Sequence, residues 1–230
     1  MNPTPEKKAG VKAGHAGPAG LPGRGLVALV GVGPGDEALL TLRAAALLAE
    51  ADLVVGAPWV NERVAHLLRP DATMVDSATL DQDPKLLIKS AKAGQVALRL
   101  YSGDPFLFCS AAADAAACAK AQVTFEIVPG VSAATAVPAY AGIPLTTDVT
   151  GDVRIIHAAE VSRLSTGPGT LVILGAETGI ADIAKMLIAN GVVSGQPAAI
   201  SILAISAMPV SAPSITSVPG PVERRLTSAA

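Results

Sequence analysis

The sequence predicts an α/β fold built on a parallel sheet. Short apolar runs rich in Val and Leu, at 26–30, 52–56 and 95–101, alternate with stretches of helical spacing. Two of these runs end in glycine-containing loops, at 31–36 and 102–105. The composition, 50% apolar and only 3% aromatic, suits Val/Leu strands covered by Ala/Leu helices.

In chain order, the strand at 26–30 breaks into Gly31-Val32-Gly33-Pro34-Gly35-Asp36, and helical spacing resumes over 39–50. A second strand is expected at 52–56 and a helix at 59–68, stopped by Pro70. A short strand follows at 73–75. Asp83-Pro84 then opens a helix that runs to residue 93 and closes on Gly94. The strand at 95–101 enters Ser102-Gly103-Asp104-Pro105, and an alanine-rich helix extends to about residue 120.

The pattern restarts with a strand at 124–128 and the loop Pro129-Gly130-Val131-Ser132-Ala133. There Gly130 is expected to permit an unusual backbone, and Ser132 to cap the next helix. Strands at 153–157, 170–174 and 197–203 and a helix at 179–190 complete the reading. This restart sets a domain boundary near 123–129, giving units of 25–125 and 126–203. Residues 1–24 and 204–230 are rich in Gly, Ala, Pro and Ser without period, and read as disordered tails.

Composition excludes several classes of function. A formal charge of −2 offers no basic field for nucleic acid, and the few aromatics make poor stacking platforms. No run reaches the roughly 18 apolar residues of a membrane span, and no apolar leader segment stands at the start, so the cytoplasm is expected. Cys109 and Cys118, nine residues apart on one expected helix, would face opposite sides and stay unpaired, as buried thiols. The three histidines have no ligand-spaced partners, so no metal site is expected.

The strand, glycine loop and helix at 26–50 bring bare backbone to the carboxyl edge of the sheet, where α/β proteins bind ligands. The loop lacks the spacing of a dinucleotide fingerprint or a phosphate-binding loop. It also carries Asp36, an anion where either motif would hold phosphate. A phosphate-free ligand, or a cation, fits better. Read alone, the same turn is also an ordinary strand-to-helix connection.

Five segments in order, GVGPGDEALLTLRA (31–44), ADLVV (51–55), RLYSGDPFLF (99–108), EIVPGVSAATAVPAYAGIPLT (126–146) and TLVILGA (170–176), resemble the tetrapyrrole methylases. The pattern is most similar to the uroporphyrinogen-III C-methyltransferases, in the form fused to a synthase. The resemblance implies a second domain with a mixed sheet and an S-adenosylmethionine cofactor folded between the domains. It also implies a homodimer that methylates uroporphyrinogen III at C2 and C7 to give precorrin-2. By matched position, cofactor contacts fall on Pro34, Ser102, Gly103, Asp104, Leu107, Ser132, Ala133 and Gly175, and Gly33 and Gly35 join them as bare backbone that would let main-chain groups reach the ligand.

A substrate with eight carboxylates calls for cations. Arg99 is the first candidate, with Arg43, Arg63 and Arg154 behind it. The sequence departs from the family where a Tyr-Asp pair usually follows the second strand. Gly56-Ala57-Pro58 stands there instead, so no catalytic base is assigned. The family's adenine-contacting segment is also replaced, after residue 201, by Ile202-Leu203-Ala204-Ile205 and the tail. That reads as a truncated or frame-shifted end. The alternatives are another precorrin methyltransferase and a remnant that binds cofactor or tetrapyrrole without turnover.

Overall fold

Residues Leu26–Gly31 form strand β1, all six of them buried, as expected of a strand covered on both faces. The computed structural model describes residues 25–79, 84–148, 151–164, 169–175 and 180–191. Helix α1 (Leu42–Glu50) starts later than its spacing predicts. Asp36 first closes a single 3₁₀ turn by accepting from the Ala38 amide at 2.9 Å. Thr41 then caps α1 by accepting from the Ala44 amide at 3.1 Å. The first glycine loop is therefore longer than the sequence suggests, running from 32 to 41.

Strand β2 (Leu53–Gly56) leads into α2 (Pro58–Val64), with Pro58 in the first turn, where its missing N–H costs nothing. Then come β3 (Thr73–Asp76), α3 (Lys85–Lys92), β4 (Val96–Tyr101), α4 (Ala111–Lys120) and β5 (Thr124–Val128). The five strands form one sheet in the order β3-β2-β4-β1-β5, with every pair parallel.

Strand alternation divides the core into two layers. Ala28, Val30, Val54, Leu98 and Leu100 pack with Leu47, Leu48, Val60 and Val64 of α1 and α2. Val27, Leu29, Val55, Ala97 and Tyr101 pack with Leu87, Ala111, Ala115 and Cys118 of α3 and α4. The connections from β1 and β4, neighbouring strands, thus leave toward opposite faces of the sheet. That is the switch point at which open α/β sheets form a crevice.

Two expectations need correction here. The sequence boundary at 125/126 would cut β5, yet β5 pairs with β1 from Leu26↔Thr124 to Val30↔Val128. The chain divides into compact units between Ser132 and Ala133 instead. Completing the edge beside β1 buries Phe125 and Val128, which a boundary inside β5 would leave exposed. Cys109, placed on a helix by the sequence, precedes α4 and is exposed, whereas Cys118 is buried. Both thiols are free, but the helical-face argument does not apply, and only one is a buried thiol.

The second unit contains α5 (Ala133–Tyr140), β6 (Val153–His157), β7 (Thr170–Leu174) and α6 (Ile180–Ala189). Strands β6 and β7 are parallel, and Val161, Leu171, Ile173, Ile183 and Leu187 form their core. Gly191, at φ +87°, closes α6 by donating to the Ile188 carbonyl at 2.9 Å. The mixed sheet expected here is represented, among the described residues, by this parallel pair. The strand expected at 197–203 and both tails lie outside the described residues. No helix among the described residues is long and apolar enough to cross a membrane.

Candidate active site

Three loops leave the carboxyl ends of β1, β4 and β5, and the backbone knits them together. Gly33 and Gly103 form an antiparallel bridge: the Gly103 amide donates to the Gly33 carbonyl at 2.8 Å, and the Gly33 amide to the Gly103 carbonyl at 3.3 Å. The Val32 amide donates to the Tyr101 carbonyl at 2.9 Å. Two strands that ran in parallel are thereby stitched beyond their ends.

The third loop enters through Gly130. A Cβ on Gly130 would lie 2.1 Å from the Gly103 carbonyl oxygen and 2.9 Å from the Gly31 Cα. A Cβ on Gly31 would lie 2.5 Å from the same oxygen and 2.6 Å from the Gly130 nitrogen. The obstruction is backbone in both cases. Gly130 is required by this close approach and not by a left-handed backbone, since its φ is not positive. This replaces the unusual conformation the sequence suggested for it.

Asp104 fastens the loops a second time. Its carboxylate accepts from the Phe106 amide at 2.8 Å, within its own loop, and from the Gly130 amide at 3.2 Å. Leu107 closes the same turn by donating its amide to the Asp104 carbonyl at 3.3 Å. Phe108, at φ +56°, holds a conformation rare for a bulky residue, and with Phe106 it exposes an aromatic ring beside the turn.

The structure therefore brings Gly33, Gly103 and Asp104 together, with Pro34, Gly35, Ser102 and Leu107 on the same two loops. Ser132 ends the first unit, two residues after Gly130. Ala133 begins α5 and is buried. Gly175 follows β7 in the second unit at φ +73°, where a Cβ would meet the His157 ring at 2.4 Å. Gly31 and Gly130 were not among the predicted site residues. Only the β5–β1 pairing shows that they must meet.

Arg99 is not delivered to the loops. It lies on β4 with its side chain 16% exposed, and its Nε is 3.9 Å from Asp114, whose own side chain is 8% exposed. The Tyr101 hydroxyl donates to the same Asp114 carboxylate, and the Arg99 guanidinium stands 5.8 Å over the Tyr101 ring. The alternation of β4 points residues 97, 99 and 101 toward α4, which commits Arg99 to neutralising a buried carboxylate. Burial, and then the bond to Asp114, push the Tyr101 phenol well above the usual tyrosine range. The group spans the stem of the 102–110 loop, with Tyr101 just before it and Asp114 in the helix just after.

Asn61 was also missed. It is 7% exposed, and its Nδ2 donates at 3.1 Å to both the Gly56 and the Val75 carbonyls, joining the ends of β2 and β3. Its Oδ1 occupies the space that a Cβ on Gly56 would need, 2.5 Å away. The Gly56-Ala57-Pro58 departure is thus matched to a neighbour.

The thiols offer a direct check on the loop geometry. The Cys118 thiol is pushed up to about 11, by burial first and then by Asp114. The exposed Cys109 thiol is also raised, by partial burial of its sulfur and then by Asp104. A soluble aromatic disulfide at pH 8 is expected to modify one thiol per folded chain, Cys109, more slowly than a free peptide cysteine. Cys118 should react only after unfolding. Two fast equivalents would contradict the packing of α4.

Comparison with known proteins agrees with this geometry. The sequence pattern of the tetrapyrrole (corrin/porphyrin) methylases matches residues 26–204. Siroheme synthase 1 of Pectobacterium atrosepticum is 39% identical over 194 residues, covering 77% of this chain and 40% of that protein. Siroheme synthase 1 of Klebsiella pneumoniae is 38% identical, covering 76% and 41%. The chain thus spans about two fifths of the length of these relatives.

Among solved structures, a uroporphyrin-III C-methyltransferase from Thermus thermophilus in complex with S-adenosylhomocysteine is similar, at 30% identity and a TM-score of 0.59. That match covers 74% of this chain and 78% of that one. A cobalt precorrin-4 methyltransferase is similar at 25% identity and a TM-score of 0.62, covering 75% and 79%. With the three-loop glycine junction at the sheet edge and a family pattern running through nearly all of the described chain, the protein belongs to the tetrapyrrole methylases.

Proposed function

We propose that this chain is an S-adenosylmethionine-dependent methyltransferase that C-methylates uroporphyrinogen III to precorrin-2, toward siroheme or cobalamin. The observation that carries the reading is the junction of Gly31, Gly33, Gly103 and Gly130 at the carboxyl edge of β1, β4 and β5. There the backbones of the three loops meet, with the Asp104 carboxylate bonded to the Gly130 amide beside them.

The donor set fits the cofactor. The loops at 32–41, 102–110 and 129–132 contain no lysine or arginine but do carry Asp36 and Asp104. That suits a cationic ligand without phosphate. When bound, S-adenosylmethionine supplies an electrophilic methyl group on a sulfonium centre. Gly33, Gly35 and Gly103 would hold it through backbone. Asp104 already accepts two backbone amides, so its first task is to fix the loops, with its negative charge available to a nearby cation. Fixing two reactants in line is the main demand of methyl transfer, and a rigid backbone junction meets it. Ser132, Ala133 and Gly175 belong to this reading as further cofactor contacts. A cytoplasmic homodimer belongs to it on the strength of the family resemblance.

A second reading, methylation of a later precorrin, is favoured by the similarity to the cobalt precorrin-4 methyltransferase. The replacement of the Tyr-Asp pair by Gly56-Ala57-Pro58 favours instead a remnant that binds cofactor or tetrapyrrole without turnover. Incubating the protein with uroporphyrinogen III and methyl-labelled S-adenosylmethionine is expected to transfer label and produce the precorrin-2 absorbance. Label transfer only to a later precorrin would select the second reading. Tight S-adenosylhomocysteine binding without transfer to either substrate would refute both.

A further inference from the structure

We propose that Arg63 receives a carboxylate of the tetrapyrrole substrate at the rim of the first glycine loop. The proposal rests on the tetrapyrrole reading above and adds to it the cation that reading needs.

Four of the other five arginines among the described residues pair with a carboxylate. Arg43 makes a two-pronged contact with Glu126, through Nε at 2.8 Å and Nη2 at 2.6 Å. Arg69 pairs with Asp52, Arg163 with Glu160 and Arg99 with Asp114. Arg154 lies on β6 with its Nε buried. Arg63 differs: among the described residues no carboxylate pairs with it, and its contact is the Trp59 ring, 5.1 Å from the guanidinium carbon.

That contact aims the side chain. Trp59 and Arg63 are four residues apart on α2, so they stack on one face. Helical side chains lean toward the amino end of their helix, and the amino end of α2 lies at the carboxyl edge of β2. Arg63 therefore points back toward the loops. The guanidinium lies beside Gly35: a Cβ there would be 3.0 Å from its Nη1 and 3.4 Å from its Cζ. Trp59 is half-buried against the α1/α2 core layer and is a fixed platform.

The acids nearest in sequence to Gly35 are already engaged. Asp36 caps the 3₁₀ turn, and Glu37 lies 3.0 Å from His66 Nε2. A guanidinium held flat on an indole loses little freedom on binding and presents its outer edge as a fork for a carboxylate. An unanchored surface cation would not show this stacking.

The test uses the full-length chain with two probes, uroporphyrin III by fluorescence titration and S-adenosylhomocysteine by calorimetry. Arg63→Gln is expected to weaken uroporphyrin binding about tenfold and to change S-adenosylhomocysteine affinity less than about twofold. Arg63→Lys should restore part of the loss. The wild-type advantage should shrink in high salt. Unchanged uroporphyrin affinity in Arg63→Gln would overturn the proposal. So would a loss confined to S-adenosylhomocysteine, which would make Arg63 a brace for the Gly35 loop. Wild-type protein that binds S-adenosylhomocysteine but no porphyrin would overturn the substrate reading and Arg63 with it, and the wild-type titration separates that case from failure of Arg63 alone.

Discussion

Gly130→Ala is expected to cost about 3 kcal/mol or more of stability and to abolish measurable S-adenosylhomocysteine binding. The added methyl would sit 2.1 Å from the Gly103 carbonyl oxygen and within 2.9 Å of Gly31 backbone, so no side chain can rotate away. Overpacking a rigid site costs typically 1–3 kcal/mol, and more when backbone must move. For a domain of this size such a loss lowers the melting temperature by roughly 10 °C. Relief requires the β5 loop to retreat, which stretches the bond from the Gly130 amide to Asp104 and opens the Gly33–Gly103 bridge. Gly151→Ala is the matched control, because a Cβ there meets nothing within 4 Å and needs no left-handed backbone. A Gly130→Ala protein that melts and binds as the wild type does would mean the three loops are not joined as described.

Asp114→Ala should be the most damaging side-chain substitution at the stem of the second loop, at about 3 kcal/mol. It leaves the nearly buried Arg99 guanidinium without its carboxylate and the Tyr101 hydroxyl without its acceptor. Asp114→Asn keeps an acceptor for the hydroxyl and should cost less. Tyr101→Phe removes one bond and no charge, and should cost about 1 kcal/mol. Chemical denaturation of the three variants checks the order, and an Asp114→Ala protein as stable as Tyr101→Phe would refute it.

The same group predicts a pH dependence. The folded state holds the Tyr101 phenol above its unfolded value, so this contribution is fully present below about pH 10 and is lost as pH rises further. Wild-type stability should fall more steeply than that of Tyr101→Phe above that pH.

Much of the fold was legible in the sequence because the signals are local. The strands read at 153–157 and 170–174 are β6 and β7 as observed. Gly94 and Gly191 stand after their helices at φ +82° and +87°, the position a helix stop needs. Errors arose where a local signal competed with a distant one. Helical spacing from residue 39 gave way to two successive caps, Asp36 and Thr41. The strand at 124–128 reads locally as the start of a new unit, and only its pairing with β1, 98 residues earlier in register, puts it in the first sheet.

The site divides along the same line. By itself the sequence determined that glycine loops follow β1, β4 and β5, that the first two carry Asp36 and Asp104, and that they resemble one family. These properties belong to residue types and short spacings. The tertiary structure alone decided that Gly31, Gly103 and Gly130 must be bare because backbones touch, that Arg99 serves Asp114, and that Arg63 is left to face Gly35. Those outcomes depend on sheet register and on which face of a strand or helix each side chain occupies, and contacts between residues so far apart in the chain exist only once the layers have packed.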